Sequence, residues 1–326
     1  MSGNKQLRWA VLGTGIIANE MAQTLQSVGR TLDAVGGRTC AKAEAFAEKY
    51  GVPKVYGDYR EMFSDPEIDA VYIATPHNTH IGSLEEALSH GKHVLCEKSI
   101  TLNSAELERA RRLAEENHAV LAEAMTIYHM PLYRELTRRV GAGELGRVNL
   151  IQLNFGSFKP YDMTNRFFSR SLAGGALLDI GVYALSLARL FLDSSPDQVK
   201  SFVRKAPTGV DESAAIAMTN QEGQLVTAAF SLRSKQPKRA VISCEKGYIE
   251  IPEYPRADRA VIVDAETSET ETAAAGRAAD ALRYELEDME AAVLGGGDMM
   301  LPYTADVMAL MTALRREWGV VYPEEE

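Results

Sequence analysis

The run Arg8-Trp9-Ala10-Val11-Leu12-Gly13-Thr14-Gly15-Ile16-Ile17-Ala18 decides how the chain reads. Its mostly apolar opening suits a strand, Gly-x-Gly-x-x-Ala comes directly after it, and Ile17, Met21, Leu25 and Val28 then recur at helical spacing. Strand, glycine turn and helix in that order are the context a dinucleotide-binding fingerprint requires. In that geometry Gly13 makes the tight turn, Gly15 lets a pyrophosphate approach the backbone, and Ala18 lets helix and strand pack closely. Thr14, Ile16 and Ile17 complete the cofactor-facing turn, where the free N–H groups and positive dipole end of the helix receive phosphate. A glycine turn between any strand and helix shares this pattern, so the residues beyond it must decide.

Beyond this helix the chain alternates. Residues 32–36 read as a second strand, then a helix begins at Thr39 with Ala43, Phe46 and Tyr50 on one face and Gly51 at its end. Residues 54–56 form a short strand, and 69–74 a nearly continuous apolar one, as a buried parallel strand should be. A helix over 79–90, a strand over 93–96, a helix to Asn117 opened by an Asn103/Glu106 capping box, and a strand over 119–122 complete the unit. The pattern predicts an α/β fold: a Rossmann-type doubly wound parallel sheet over residues 1–123. Ligands of such sheets sit at the carboxyl ends of the strands, which directs attention to Gly13, Arg38, Thr75 and Glu97.

At the end of the second strand stands Gly36-Gly37-Arg38-Thr39, without the acid that an NAD-preferring site usually carries there; Asp33 lies at the wrong end. Arg38 and Thr39 suit a 2′-phosphate, so NADP is expected ahead of NAD; the other reading is a solvated arginine at a helix start. In the loop Thr75-Pro76-His77-Asn78-Thr79-His80, the expectation is that Thr75, Pro76, Asn78 and His80 line the cofactor's ribose and nicotinamide. Two histidines there equally suit hydrogen-bonded surface groups, and their spacing makes no metal site. Glu97-Lys98 leaves two alternatives open: a lysine donating to a substrate oxygen beside a cofactor, or a salt bridge within the pair.

From Met125 the alternation stops. A helix over 131–140, a strand over 148–155 and a helix from Gly174-Gly175-Ala176 to about 192 are followed by β-rich segments over 198–205, 214–219, 225–232, 239–244, 248–251 and 260–264. Residues 265–276 read as a polar loop, and helices over 278–294 and 303–318 finish the chain. This predicts a second, α+β domain over 124–326 with a large, mostly antiparallel open sheet. Within it Asp179 and Tyr183 stand four apart, on one helix face: either a carboxylate orienting a hydroxyl beside a proton-exchanging tyrosine, or a helix-start acid with a core tyrosine.

The 326 residues allow two domains, and the net charge of −10 argues against nucleic-acid or anionic-membrane partners. Cys40, Cys96 and Cys244 lie far apart, which predicts reduced thiols, no zinc site and a cytoplasmic protein. No leader and no apolar run of membrane-spanning length are read.

Together, Gly13-Thr14-Gly15-Ile16-Ile17-Ala18, Leu95-Cys96-Glu97-Lys98 and Gly174-Gly175-Ala176-Leu177-Leu178-Asp179-Ile180-Gly181-Val182-Tyr183 resemble the Gfo/Idh/MocA oxidoreductases in order and spacing over nearly the whole chain. The nearest flavour is the dihydrodiol dehydrogenase and glucose–fructose oxidoreductase branch, which has tyrosine, as Tyr183 is here, where inositol dehydrogenase-like members have histidine. The resemblance implies an active-site lysine at Lys98, an acid/base pair at Asp179 and Tyr183, and a cofactor or substrate contact at Arg166. It also implies self-association through the C-terminal sheet as a homodimer or homotetramer, and a last helix able to pack back on the first domain. Two departures bear on the site. Ser99 replaces the family's proline after Lys98, leaving that backbone less fixed, and Tyr128-His129 replaces an Arg-Phe pair, which makes these two residues either candidate substrate contacts or ordinary loop packing. The expected activity is hydride transfer between NADP, or NAD, and a hydroxyl-bearing carbon of a small polyhydroxylated substrate: a sugar, polyol, inositol or dihydrodiol. The alternative is a non-catalytic NADP-binding sensor on the same fold.

Overall fold

The computed structural model describes residues 6–326. The first half runs β1 (Trp9–Leu12), α1 (Ile16–Ser27), β2 (Ala34–Gly36), α2 (Cys40–Tyr50), β3 (Lys54–Tyr56), α3 (Tyr59–Ser64), β4 (Ala70–Ile73), α4 (His80–Ser89), β5 (His93–Glu97), α5 (Ser104–Glu116) and β6 (Leu121–Ala124). The strands pair in parallel in the order β3-β2-β1-β4-β5-β6. That is the doubly wound order, whose ligand crevice opens where it reverses, between β1 and β4. Trp9, Ala10 and Val11 are fully buried, as a central parallel strand covered by helices on both faces must be.

Local chemistry sets the helix limits. Gly51 ends α2 in the left-handed conformation, at φ 69°. Asn103 Oδ1 accepts from the Glu106 N–H at 3.0 Å, and Glu106 Oε2 accepts from the Leu102 N–H at 2.9 Å, so the predicted box closes one residue ahead of the cap. Two details differ from the sequence reading. Val28 lies beyond the end of α1 and is 43% exposed rather than on the buried face. The short α3, opened by Asp58 accepting from the Arg60 N–H at 2.9 Å, lies in a stretch where no helix was anticipated; six residues are too few to show a period.

The second half runs α6 (Thr126–His129), α7 (Pro131–Gly141), β7 (Val148–Gly156), α8 (Val182–Phe191), β8 (Gln198–Lys205), β9 (Asp211–Thr219), β10 (Leu225–Ser231), β11 (Gln236–Cys244), β12 (Gly247–Pro252), β13 (Arg259–Asp264) and β14 (Thr270–Ala274). Its eight strands lie in the order β14-β13-β12-β11-β7-β10-β9-β8, all antiparallel except β7 with β10. β14 falls inside the stretch read as a polar loop. Its strand is an edge, where only every second side chain has a sheet face to cover, so the apolar signal is a single buried alanine, Ala273. The chain ends with α9 (Ala281–Val293) and α10 (Leu301–Trp318).

Two compact units result: one takes in the chain up to Ala124 with Leu282–Leu301, the other Met125–Ala281 with Pro302–Glu326. The segment that rejoins the first unit is thus α9, whose Leu286 and Met289 enter the core around Trp9 and whose Glu290 accepts from Trp9 Nε1 at 2.9 Å. The last helix, α10, stays with the second unit. Against the expectation of no run of membrane-spanning length, Arg170–Phe191 is long and apolar enough by composition, but it is mostly buried, and the left-handed Ala173 and Gly175 interrupt it before α8.

Candidate active site

In the first unit the β1–α1 turn has the shape its sequence demands. Gly13 adopts φ +115°, donates to Gly36 O at 2.8 Å, and sits so close to β4 that a Cβ would meet Ala74 O at 2.6 Å. Only glycine fits there. Gly15 has open space where a Cβ would be, and as the residue before α1 it lends no side-chain cap to the helix. No acid stands in the first turn of α1, and Ile16 is 85% exposed. Open space, uncapped N–H groups and the helix dipole form a cradle that fits a pyrophosphate. Ala18 is fully buried, as close packing of α1 requires.

Beyond β2, Arg38 and Thr39 are exposed at the start of α2, and Arg38 has no hydrogen bond or ion pair among the described residues. Asp33, at the far end of that strand, accepts from the Trp9 N–H at 2.8 Å; burial raises its carboxyl pKa, against that hydrogen bond. It is a strut, as its position implied.

The loops after β4 and β5 are tied together by histidines. His77 Nε2 lies 3.0 Å from Lys98 O. His80 is fully buried, with Nε2 2.8 Å from Thr75 O and Nδ1 3.0 Å from Ser99 O. Its expected place among the cofactor contacts is therefore corrected: both ring nitrogens face backbone carbonyls, and burial lowers its pKa, so it holds the neighbouring loops rather than touching a ligand. Thr75, Pro76 and Asn78 remain at the rim, Thr75 and Asn78 half-buried and Pro76 exposed. Glu97 accepts from the Tyr72 hydroxyl. Past Lys98 the backbone is pinned where the missing proline left it loose in the sequence reading: Ser99 is fully buried, and Glu123 Oε1 accepts from the Ile100 N–H at 3.0 Å. Side chains from α4, β6 and the β4 loop do what one ring would have done. Neighbouring Cys96 is fully buried, and burial pushes its thiol pKa well up, which makes it inert.

In the second unit Asp179 lies in a single π-type turn, Leu177–Gly181, that runs straight into α8. Asp179 is 7% exposed, and Arg166 Nη1 donates to its Oδ1 at 3.2 Å. The Arg166 guanidinium, mostly exposed, also lies 4.3 Å over the Phe167 ring. Tyr183 is half-buried with its ring 6.0 Å from that of Phe155. The unit therefore presents an arginine-held carboxylate and, one turn on, a tyrosine. Tyr128 and His129, candidates for substrate contact, are 4% and 1% exposed within α6, where Tyr128 packs edge-on against Tyr303, so the alternative of ordinary packing describes them.

Sequence reasoning missed Asp211. Fully buried at the start of β9, it accepts from the Leu177 N–H with Oδ2 at 2.6 Å. Burial pushes its carboxyl up to about 6, against the nearby N–H groups of Leu177, Ala176 and Asp211 itself and the charge of Arg315. An acid pair, Asp211-Glu212, opening an apolar strand was the available signal.

Residues 7–125 match the family model described as "Oxidoreductase family, NAD-binding Rossmann fold", and residues 133–250 match that of the "GFO/IDH/MocA C-terminal domain". The trans-1,2-dihydrobenzene-1,2-diol dehydrogenase of Xenopus laevis is 29% identical over 332 residues, covering 97% of this chain and 99% of that one. Its namesake in Mus musculus is 32% identical over 251 residues, covering 75% and 74%. Among solved structures, levoglucosan dehydrogenase in complex with NADH and levoglucosan matches with a TM-score of 0.86 at 18% identity, covering 97% of this chain and 98% of that one. KijD10, a 3-ketoreductase from Actinomadura kijaniata solved with NADP and TDP-benzene, matches with a TM-score of 0.83 at 23% identity, covering 96% and 98%. At those identities the structures speak for the fold. With the glycine cradle, both family models and the mouse relative in agreement, the chain belongs to the Gfo/Idh/MocA family of NAD(P)-binding oxidoreductases.

Proposed function

We propose that this oxidoreductase uses NADP to interconvert a secondary hydroxyl and a carbonyl on a small polyhydroxylated substrate, a cyclic diol or a sugar. The observation that carries the reading is the Arg166–Asp179–Tyr183 set: a nearly buried carboxylate held by a guanidinium, one turn before a half-buried tyrosine. The diol named in the relatives and the sugar derivative named in levoglucosan dehydrogenase both place a hydroxyl on a ring carbon, which is the group such a set handles.

When bound, the cofactor would supply a hydride acceptor or donor; Gly13, Thr14, Gly15, Ile16 and Ile17 would hold its pyrophosphate, Arg38 and Thr39 its 2′-phosphate, and Thr75, Pro76, Asn78 and Glu97 its ribose and nicotinamide. Tyr183 exchanges the hydroxyl proton of the substrate. Asp179 accepts a hydrogen bond from a substrate hydroxyl, and Arg166 orients that carboxylate. Lys98 donates to the reacting oxygen and stabilises the charge that develops there.

Self-association as a homodimer or homotetramer is proposed through the outer face of the eight-stranded sheet. The register places Phe202, Leu225 and Tyr248 on that one face, and Phe202 is 83% exposed.

Turnover of trans-1,2-dihydrobenzene-1,2-diol and of levoglucosan with NADP+, followed by NADPH absorbance, tests the reading. Tyr183→Phe should lower kcat by roughly a hundredfold or more while binding NADPH as the parent does. A Tyr183→Phe variant as fast as the parent on either substrate removes the proton-exchange role.

A further inference from the structure

We propose that Asp211 is the positioning residue of the catalytic turn: its buried carboxylate takes the place of the helix cap that Gly174 and Gly175 cannot supply, and so fixes Asp179 and, one turn on, Tyr183. The proposal rests on the roles given above to Asp179 and Tyr183.

A helix leaves its first N–H groups without partners, and a neighbouring serine, threonine, asparagine or aspartate ordinarily accepts from them. Before Leu177 the chain has no such side chain. Ala173 is left-handed at φ 51° and Gly175 stands at φ +133°, a path that glycine follows without strain. The space a Gly175 side chain would need is filled by Asp211, because a Cβ there would collide with Asp211 Oδ1. The acceptor therefore arrives from β9, 34 residues along the chain, at 2.6 Å from the Leu177 nitrogen. β9 lies inside the sheet between β10 and β8, so the carboxylate stands on a rigid element.

The far side of the turn is tied as well. The buried Tyr322 hydroxyl donates to Gly174 O at 2.7 Å, Arg170 Nε donates to Val321 O at 2.7 Å, and Arg315 of α10 holds Glu325 through two bonds of 2.7 and 2.8 Å. Among the described residues Arg315 from α10 and Tyr322 from the tail face Asp211, Arg315 carries Glu325 behind it, and Glu212 follows Asp211 on its own strand. Glu212 is engaged elsewhere, with Arg204 at 2.8 Å and the Tyr161 hydroxyl at 2.7 Å.

A neutral acceptor would cap the helix with less desolvation, so a buried carboxylate with a short bond to this turn gives a stiffer hold than fold stability alone requires. Small displacements of a reacting group cost rate steeply, which is what the hold protects.

The test uses the full-length protein, the NADP+-dependent oxidation of trans-1,2-dihydrobenzene-1,2-diol, and amide hydrogen exchange. Asp211→Asn should lower kcat by about ten- to a hundredfold with KM changed less than about threefold. Exchange at the amides of residues 176–180 should quicken by about tenfold or more. Ile249→Val, a buried change on β12, should lower the melting temperature without altering kcat or those amides. In a Tyr183→Phe background the Asp211→Asn loss should shrink to less than about twofold, since a positioning residue has nothing left to position. If Asp211→Asn does not fold, Tyr322→Phe makes the same comparison from the other side of the turn. A folded Asp211→Asn with parental kcat and parental exchange overturns the proposal while leaving the catalytic reading intact. A Tyr183→Phe variant with parental kcat overturns the catalytic reading, and the exchange data then decide the Asp211 hold alone.

Discussion

Two helices of this protein begin on glycines, and their N-termini are treated in opposite ways. At α1 the turn Gly13-Thr14-Gly15 leaves the first N–H groups without a capping side chain and with open space at Gly15. At the turn leading into α8, Gly174-Gly175 brings the backbone so close to β9 that Asp211 fills the corresponding position with an internal anion. The same device, a glycine corner exposing positive backbone dipoles, thus serves a ligand in one unit and the fold in the other. What separates them is whether the chain provides its own carboxylate.

The contrast can be broken most directly by giving α1 an anion of its own. Gly15 has φ −76° and ψ −171°, which aspartate adopts freely as a helix cap, and nothing lies within 4 Å of its would-be Cβ. Gly15→Asp should fold with unchanged or slightly raised thermal stability and bind NADPH at least about a hundredfold more weakly, read by calorimetric titration. Retained affinity would show that phosphate does not sit on this helix end.

The closed corner is sharpened by pH. Asp211 has a folded pKa near 6 against an ordinary 3.8, so the folded protein binds the extra proton between those values. Stability therefore falls as pH rises from about 4 to 6, by on the order of 3 kcal/mol for this one group, and the full cost is present above pH 6. Denaturant melts of Asp211→Asn across that window should lose this component of the slope. An unchanged slope would mean that the carboxyl is not held above its ordinary value.

A smaller effect separates the two ends of the cofactor. Arg38→Asp should leave NADH binding nearly as it is and weaken NADPH by about ten- to thirtyfold, because only the 2′-phosphate loses its charged partner. Equal loss for both cofactors would demote Arg38 to a surface residue.

How much of this was legible depends on the range of the interactions. The α1 corner, the αL end of α2 and the Asn103 cap are local: each is written within a few consecutive residues, and each stands where the pattern put it. His80 and Tyr128 were misjudged for one reason. A polar residue in a loop and a buried strut look alike in sequence, and only the packing of the loops after β4 and β5, or of α6, decides between them. The Ser99 departure shows the reverse case, where a local weakness is made good by His77, His80 and Glu123 from elsewhere in the unit.

By itself the sequence determined the two-part α/β architecture, the glycine cradle and the residues that place the chain among NAD(P) oxidoreductases, because strand period, helix period and glycine conformations act over neighbouring residues. The tertiary structure alone decided which segment rejoins the first unit, that α9 rather than α10 does so, and which carboxylate closes the second glycine corner. Those choices depend on which distant side chain fits a given space and finds its hydrogen-bond partner there, and no pattern along the chain records it.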